Sequence, residues 1–311
     1  MTFYEVIRVG IAKMAYHSIV LIKQVPDTTA VTAKAMKKDG TLNRSALPAI
    51  FNNDDLHALE MALEVKEQHG GTVTVITMGP SKASEILKEA IYRGADEGVL
   101  LTDRKFAAAD TLATSYTLSA AINKVGNCDL IFCGREASDG NTAQVGPQVA
   151  EKLGLPQITC VEEICKLENG LLEAKRLTDQ GNEVVRSSLP LLITVASQAN
   201  EPRPPAAKKL MRFKKAMTKT EAAIRLRAST DSQDKVEEYC MQLKEKGLLI
   251  AEWDADALSI DLDRCGYTGS PTRVKKIEQV VLVAKDYKRF PSTDEGVSTL
   301  IHELIEEHTF G

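Results

Sequence analysis

The chain has 311 residues, a formal net charge of −4 at pH 7 and 43% hydrophobic residues, which is enough apolar content for a large core. The pI near 5.9 does not favour a nucleic-acid-binding protein, which would carry an excess of basic residues. The sequence contains no run of 18 apolar residues, so no membrane span is expected. The six cysteines have no CxxC spacing, so zinc and iron–sulfur sites are disfavoured and we predict reduced thiols in a cytoplasmic protein.

The first half of the chain predicts alternating strands and helices. Four short apolar runs have the length of buried strands, and they lie at residues 18–23, 72–77, 98–101 and 129–133. Helical patterns follow the runs, at residues 55–69, 81–93, 108–124 and 148–153. We expect Ser81 to cap the second helix, and Gly70 and Gly94 to end the first two. Continuous apolar strands in this order predict a parallel sheet with helices on both faces.

The pattern changes after residue 157, where short strands follow one another without helices. They lie at residues 157–164, 171–176, 182–188 and 191–195. The turn pairs Asn169-Gly170 and Gln180-Gly181 separate the first three, so we predict an antiparallel meander that extends the parallel half. Two later helices are expected at residues 232–246 and 296–307, with a β-branched run at residues 280–283 between them.

The stretch Gly134–Pro147 joins the fourth predicted strand to a helix through glycine and Asx residues. A helix that starts after such a turn presents unpaired backbone N–H groups and the positive end of its dipole, which together bind phosphate. Thr142 and Gln144 add hydrogen-bonding side chains beside the anion, and Arg135 adds a cation. The alternatives are an ordinary strand–loop–helix connection and, for Arg135, a surface salt bridge.

Three further loops follow predicted parallel strands, at residues 25–28, 78–80 and 102–111. Because ligands bind beyond the carboxyl ends of strands in an open parallel sheet, we expect these loops and Gly134–Gly146 to form one site. Asp110 and the pair Asp54-Asp55 also admit a simpler interpretation, as caps of helix starts. The five histidines form no cluster, which suits a redox protein whose chemistry is carried by a cofactor.

Residues 134–147 resemble the nucleotide-phosphate loop of electron transfer flavoprotein beta subunits, whose usual form is close to GRQAIDGDTAQVGP. Glu136, Ser138 and Asn141 replace the family's Gln, Ile and Asp. Other segments are similar to later family signatures in the same order, at residues 20–28, 52–60, 77–80, 92–96, 189–190, 200–203 and 269–274. On this ordered set, the chain is identified as a member of the family.

The resemblance implies a Rossmann-like, adenine-nucleotide-binding α/β domain at residues 17–225, built on a parallel sheet with an antiparallel extension. It also implies an N-terminal extension at residues 1–16, and a C-terminal helix and partner-binding arm at residues 226–311. The implied cofactor is FAD, with AMP as the alternative. The implied cofactor-binding residues are Lys23, Val25, Asp27, Asn52, Met78, Gly79, Phe106, Asp110, Thr111, Gly134, Arg135, Asp139, Gly140, Asn141, Thr142, Ala143, Gln144, Val145 and Gly146.

The segment Phe106–Thr111 is similar to FAGADT, which accompanies a second FAD in the electron-bifurcating members of the family. Ala108 replaces a glycine, and we expect its methyl group to remove the freedom for a positive φ. The bifurcating form implies that NADH gives a hydride to this FAD, and that one electron goes to ferredoxin or flavodoxin and the other to FAD on the alpha subunit. The alternatives are a carrier-only subunit with structural AMP and a nucleotide-binding protein without a redox role.

The segment Asn200–Met211 corresponds to the loop by which beta subunits dock on a dehydrogenase. Ala207 stands where a Leu is usual, so either Leu210 or Phe213 supplies the apolar contact or the partner differs from an acyl-CoA dehydrogenase. The predicted docking residues are Ala207, Leu210 and Met211. The resemblance also implies an alpha-subunit partner held by the arm at residues 277–311, the alternative being a tail folded on its own core.

Overall fold

The computed structural model describes residues 15–27, 47–227, 233–273 and 288–306. Its strands are β1 (Tyr16–Leu21), β2 (Gln24–Pro26), β3 (Ala49–Phe51), β4 (Gly71–Met78), β5 (Glu97–Leu101), β6 (Leu130–Gly134), β7 (Gln157–Glu168), β8 (Leu171–Thr178), β9 (Gly181–Ser188), β10 (Leu191–Val195) and β11 (Ala251–Trp253). Its helices are α1 (Asn53–His69), α2 (Ser84–Arg93), α3 (Thr111–Val125), α4 (Val145–Leu153), α5 (Ala207–Phe213), α6 (Lys219–Arg227), α7 (Gln233–Glu245), α8 (Ala255–Leu258) and α9 (Asp294–Glu306).

The described strands form a nine-stranded sheet in the order β11-β5-β4-β1-β6-β10-β7-β8-β9. Every pair from β11 to β7 is parallel, and β7, β8 and β9 are joined by antiparallel pairing. Strands β2 and β3 pair separately as a short antiparallel ribbon. The α/β class with an antiparallel extension is therefore confirmed.

Strand β10 corrects one part of the sequence prediction, which placed it in the antiparallel meander. The chain returns from β9 into the parallel half, where β10 lies between β6 and β7 and runs parallel to both. All five of its residues are buried, from Leu191 to Val195. A continuous apolar run of this kind suits a strand covered on both faces better than the half-exposed strand of a meander.

The alternation of side chains along the parallel strands builds two apolar cores, one on each face of the sheet. Val20, Val75 and Phe132 pack with helices α1 and α2 on one face. Ile19 and Ile131 point to the other face and pack with α3 and α4. The two cores fix the strands, and so they fix the points at which the loops leave the sheet.

The sequence predicts the C-terminal ends of α1 and α2 correctly but misplaces the first residues of α2, α3 and α4. Gly70 and Gly94 end α1 and α2, as expected, and each donates its backbone N–H to the last turn. Ser81 does not cap α2, because Ser81–Ala83 forms a 3₁₀ turn and the α-helix begins only at Ser84. Helix α3 begins three residues later than predicted and α4 three residues earlier.

The chain divides after Arg273 into two compact units. Helix α7 and strand β11, which follow residue 226, lie in the first unit, with β11 at the edge of the large sheet. In the second unit, α9 exposes Val297, Leu300, Ile301 and Ile305. The β-branched run at residues 280–283 lies outside the described residues. In the ranges described, no helix has the length and apolar content needed to cross a membrane.

Candidate functional site

Strands β1, β4, β5 and β6 are parallel neighbours, so the four loops predicted to form a site leave the sheet at the same edge. The first of these loops continues into the ribbon of β2 and β3, where the Asp27 N–H donates to the Pro48 carbonyl over 2.8 Å. Gly79 N donates to the Leu101 carbonyl over 3.0 Å and joins the second loop to the third. The sequence did not predict the β2–β3 ribbon.

The Gly134–Gly146 loop is buried at both ends and exposed between them. Gly134 ends β6, and the next N–H, of Arg135, donates to the Val195 carbonyl of β10 over 3.0 Å. A Cβ at Gly146 would lie 2.7 Å from Cys133 Sγ, so this glycine lets the first turn of α4 pack directly on β6. Asn141 and Ala143 have φ values of 47° and 52°, and the exposed chain from Ser138 to Gln144 turns tightly into the helix.

Two cationic side chains of the described part of the chain lie at this loop, and each is already paired with a carboxylate. Lys23 Nζ is 2.7 Å from Asp139 Oδ1, which links the end of β1 to the exposed part of the loop. Arg135 Nη2 is 2.6 Å from Glu136 Oε1, so the salt-bridge interpretation of Arg135 is confirmed. Both cationic side chains are 47% exposed, and solvent-exposed pairs of this kind exchange partners at little free-energy cost.

The first turn of α1 holds two of the loops from the inside of the fold. Asp55 Oδ2 accepts the Lys23 N–H over 2.8 Å, and Asp55 Oδ1 accepts the Gly134 N–H over 3.0 Å. Asn52 donates to the Glu136 carbonyl over 2.9 Å and accepts the Ser138 N–H over 3.1 Å. The interpretation of Asp54-Asp55 as a helix cap is therefore wrong for Asp55, whose carboxylate binds the two loops.

Burial is the main influence on the Asp55 carboxyl, and it raises the pKa to about 7. The backbone N–H groups of Lys23 and Gly134 act in the opposite direction, because they bind the ionised form. The neighbouring charge of Asp54 adds a small further rise to the pKa. No local sequence pattern predicts this shift of the pKa, because the three contacting segments are far apart along the chain.

The third loop differs from the sequence expectation at Ala108. This alanine has a φ of 57°, so its methyl group does not prevent the left-handed conformation that a glycine adopts. Phe106 is buried in the second core rather than exposed in the loop. Asp110 caps α3 by accepting the Ala113 N–H over 3.0 Å, which confirms the capping interpretation.

Asp110 also binds Thr272, a contact that the sequence did not predict. Its Oδ2 accepts both the N–H and the hydroxyl of Thr272, over 3.0 and 2.7 Å. Although desolvation acts to raise it, these bonds and the one from Ala113 hold the pKa of Asp110 below its ordinary value. The carboxylate thus ties the segment before Arg273 to the third loop.

A side-chain contact joins the third loop to the fourth. The Thr111 hydroxyl donates to Gln144 Oε1 over 2.9 Å, and Gln148 Nε2 donates to the same hydroxyl over 3.3 Å. Helices α3 and α4 therefore begin side by side. No local pattern predicts a contact between residues 33 positions apart, so the sequence missed it.

The predicted cofactor residues thus share one edge of the sheet but differ in exposure. The exposed ones are Arg135, Asp139, Gly140, Asn141, Thr142, Ala143 and Gln144. Lys23 is also exposed, whereas Asp27, Met78, Gly79, Asp110, Thr111 and Val145 are half-buried. The buried ones are Val25, Asn52, Phe106, Gly134 and Gly146, which shape the loops from below.

The predicted docking segment is fixed on α1 and ends in an exposed helix. His57 Nδ1 lies 3.0 Å from Asn200 Oδ1, and the Arg203 guanidinium pairs with the buried Glu60 over 2.8 Å. In α5, Ala207, Leu210 and Met211 are exposed, as a docking surface requires. Phe213 packs against the first core, so of the two substitutes considered only Leu210 is exposed.

Comparison with known proteins identifies the family. The electron transfer flavoprotein domain matches residues 39–226, which is more than half of the chain. The chain is also 38% identical over 290 residues to the electron transfer flavoprotein subunit beta of Clostridium acetobutylicum, covering 93% of this chain and 98% of that protein. The chain belongs to the electron transfer flavoprotein family, among its beta subunits. Its general function is therefore electron transfer.

Two relatives carry names that describe complexes. The acryloyl-CoA reductase electron transfer subunit gamma of Anaerotignum propionicum is 38% identical over 294 residues, covering 93% of this chain and 98% of that protein. The caffeyl-CoA reductase-Etf complex subunit CarD of Acetobacterium woodii is 49% identical over 186 residues, covering 60% and 70% of the two chains. The chain is therefore similar to subunits that are named for an acryloyl-CoA reductase and for a caffeyl-CoA reductase-Etf complex.

Proposed function

We propose that this beta subunit binds FAD at the four-loop edge of its sheet and works in an electron-bifurcating complex. In this proposal it pairs with an electron transfer flavoprotein alpha subunit in the cytoplasm and uses electrons from NADH. Ferredoxin or flavodoxin receives one electron, and a flavin dehydrogenase of the acyl-CoA type receives the other by way of the alpha subunit. When bound, FAD supplies the hydride and one-electron chemistry, which the side chains of this edge lack.

The residues at the edge fit the phosphates of such a cofactor. A Cβ at Gly140 would meet nothing within 4 Å, so the exposed part of the loop leaves room for a ligand. The first turn of α4 contributes N–H groups without acceptors in the helix, and Thr142 and Gln144 stand beside them. Lys23 and Arg135 supply positive charge after exchanging their carboxylate partners for phosphate.

The observation that carries the bifurcating form of the proposal is the backbone of Ala108. Its φ of 57° keeps the conformation that glycine would adopt in the FAGADT segment, despite the additional methyl group. The 49% identity to the CarD subunit of the caffeyl-CoA reductase-Etf complex supports the same form. A carrier-only beta subunit with structural AMP is the alternative, since both ligands present phosphate to the same loop.

The proposal is tested by measuring how much FAD and AMP the purified complex contains. The chain is co-expressed with the alpha subunit of its own source, and the complex is purified without added cofactor. The proposal expects two FAD per heterodimer. One FAD with one AMP would contradict bifurcation and support the carrier-only form, and absence of flavin would contradict any redox role.

Substitution in the exposed loop tests the assignment of the phosphate position. We expect Thr142→Val and Gln144→Ala each to weaken nucleotide binding by about 1–3 kcal/mol, because a phosphate oxygen loses a partner. Titration calorimetry on the folded variants measures the loss. Unchanged affinity in both would contradict the assignment, and a loss of stability alone would favour an ordinary helix start.

The exposed apolar row of α9 supports a partner-binding role for the second unit. Val297, Ile301 and Ile305 are each about half exposed on a single helix, which cannot bury them by itself. Deletion of residues 277–311 should leave the first unit folded and weaken its association with the alpha subunit. Native affinity of the truncated chain, measured by analytical ultracentrifugation, would contradict the role.

A further inference from the structure

Two side chains at the start of α1, those of Asp55 and Asn52, make four hydrogen bonds to loops of the proposed nucleotide site. Two come from Asp55, to the Lys23 and Gly134 N–H groups, and two come from Asn52, to the backbone of Glu136 and Ser138. Both side chains are buried, Asn52 to 1% and Asp55 to 6% exposure. Each therefore acts from beneath the loops, where a ligand does not reach.

The fit between α1 and the Gly134 loop is close. A Cβ added at Gly134 would lie 2.6 Å from the Asp54 carbonyl carbon and 2.6 Å from Asp55 Oδ1. The loop backbone therefore rests directly on the first turn of α1. Since Asp55 also binds the Lys23 N–H, the end of β1 and the end of β6 are fixed relative to each other by one carboxylate.

A carboxylate is a costly choice for this task. Burial of a charge is unfavourable unless hydrogen bonds compensate for it, and an uncharged side chain would fill the same space at lower cost. Only an ionised carboxylate offers two oxygens that both accept from backbone N–H groups. The arrangement makes sense where the geometry of the two loops matters more than the stability of the fold.

We propose that Asp55 and Asn52 are positioning residues, which hold the loop after β1 and the Gly134–Gly146 loop in the conformation that binds a nucleotide phosphate. This inference rests on the proposed function. Asp55 holds the backbone of Lys23 next to that of Gly134. Asn52 binds the backbone of Glu136 and Ser138 and so positions the segment that leads to the exposed part of the loop. Neither side chain touches the ligand.

The charge on Asp55 gives this arrangement a pH dependence. The charged or titratable groups around Asp55 are Asp54 in its own helix, the buried Cys133 thiol on β6, and Lys23, whose ammonium is turned toward Asp139. Burial raises the pKa of Asp55 to about 7, so it gains a proton just below neutral pH. Protonation weakens one of the two N–H bonds, because a hydroxyl oxygen is a poorer acceptor than a carboxylate oxygen, and one of the two loops is then held less firmly.

The test compares the full-length chain with Asp55→Asn, Asn52→Ala and the control Asp129→Asn. Asp129 accepts the His17 N–H over 2.8 Å at the opposite edge of the sheet, so the control changes the same chemical group away from the site. FAD affinity is measured by fluorescence titration from pH 6 to pH 8.5, because the pyrophosphate of FAD does not titrate in this range. AMP is titrated in parallel, and amide hydrogen exchange is followed at Lys23 and Gly134.

We expect Asp55→Asn and Asn52→Ala to weaken FAD or AMP binding about tenfold at pH 8, because a loop N–H loses its acceptor. The unchanged chain should lose affinity as pH falls through 7, and Asp55→Asn should lose that dependence. Asp55→Asn should also speed exchange at Lys23 and Gly134, whereas Asp129→Asn leaves both amides and the affinity unchanged.

Three results would overturn the inference. One is native affinity in folded Asp55→Asn and Asn52→Ala, and another is an unchanged pH dependence in Asp55→Asn. If Asp55→Asn does not fold, a flat affinity profile of the unchanged chain between pH 6 and pH 8.5 decides against the inference in the same way. Failure of the unchanged chain to bind either nucleotide would instead overturn the proposed function together with the inference, and the results are thus distinguishable.

Discussion

Carboxylates accept backbone N–H groups at both ends of the parallel strands, but their environments differ. We call the two sides of the sheet the amino edge and the carboxyl edge, after the strand ends that lie there. At the amino edge, Asp129 accepts the N–H of His17 and Asp96 accepts the N–H of Val73, each over 2.8 Å. At the carboxyl edge, Asp55 accepts two such N–H groups. The amino-edge carboxylates are partly exposed, and one of them is paired with Lys66, whereas Asp55 is buried and forms no ion pair with a residue that the structure describes.

The carboxylates at the amino edge stabilise the fold, whereas Asp55 at the carboxyl edge positions two loops. At the amino edge, short turns ending in glycines such as Gly70 and Gly94 close the chain, and the carboxylates only add support. At the carboxyl edge, the loops are longer, and side chains from distant parts of the sequence fix them. Of the three carboxylates compared, only Asp55 is buried, and it lies where the proposed ligand site needs two loops in register.

The largest expected effect is the pH dependence of stability that Asp55 produces. Its pKa rises from an ordinary value of 3.8 to about 7 on folding, so the native chain binds the proton more tightly than the unfolded chain. The contribution of Asp55 to stability is then greatest at low pH and falls as pH rises from about 4 to about 7. Relative to Asp55→Asn, the unchanged chain should lose up to about 4 kcal/mol over this range.

Urea unfolding at pH 4 and pH 8 measures this loss, with Asp129→Asn as the control. Identical pH profiles for the unchanged chain and Asp55→Asn would contradict the assigned pKa. The same profiles would remove the contrast between the two edges, because Asp55 would then behave as an ordinary surface carboxylate.

Gly134→Ala should destabilise the carboxyl edge by about 2–3 kcal/mol, because its methyl group overlaps the first turn of α1. FAD binding should weaken with it. Gly140→Ala is the matched control, since a Cβ there meets nothing within 4 Å, and its stability should stay within about 0.5 kcal/mol. Thermal unfolding compares the two variants, and FAD titration is made on Gly134→Ala alone; equal losses of stability would show that α1 does not confine the loop.

Asp129→Ala tests the amino edge. Loss of the acceptor for His17 N–H should lower the free energy of unfolding by about 1.5 kcal/mol, in the range expected for a hydrogen bond to a charged group. Nucleotide affinity should not change, because the loops at the opposite edge are untouched. A loss of affinity in this variant, measured by FAD titration at pH 8, would show that the edges are not independent.

Lys23→Met is expected to have the smallest effect on stability, below about 1 kcal/mol, because its ion pair with Asp139 is largely exposed. FAD affinity should fall at least about threefold, since the loop loses a cation that phosphate would recruit. Lys166→Met is the control, because Lys166 pairs with Glu168 over 2.7 Å on the antiparallel extension. Equal FAD affinities of the two variants would remove Lys23 from the proposed site.

The sequence by itself determined the elements whose signals are local. Apolar runs of strand length identified β1, β4, β5 and β6, because strands buried on both faces must be continuously apolar. Glycines fixed the ends of α1 and α2, since positive φ is readily available only to glycine there. The ordered signatures around Gly134–Pro147 identified the family, which the comparisons then confirmed.

Only the tertiary structure decided how distant segments meet. Strand β10 pairs in parallel with both β6 and β7, and its apolar run favours a strand covered on both faces but does not say which strands are its neighbours. The buried carboxylate of Asp55 meets Lys23 and Gly134 across separations of 32 and 79 residues. Hydrogen bonds of this kind depend on where the sheet places its strands, so no local pattern around Asp55 encodes them.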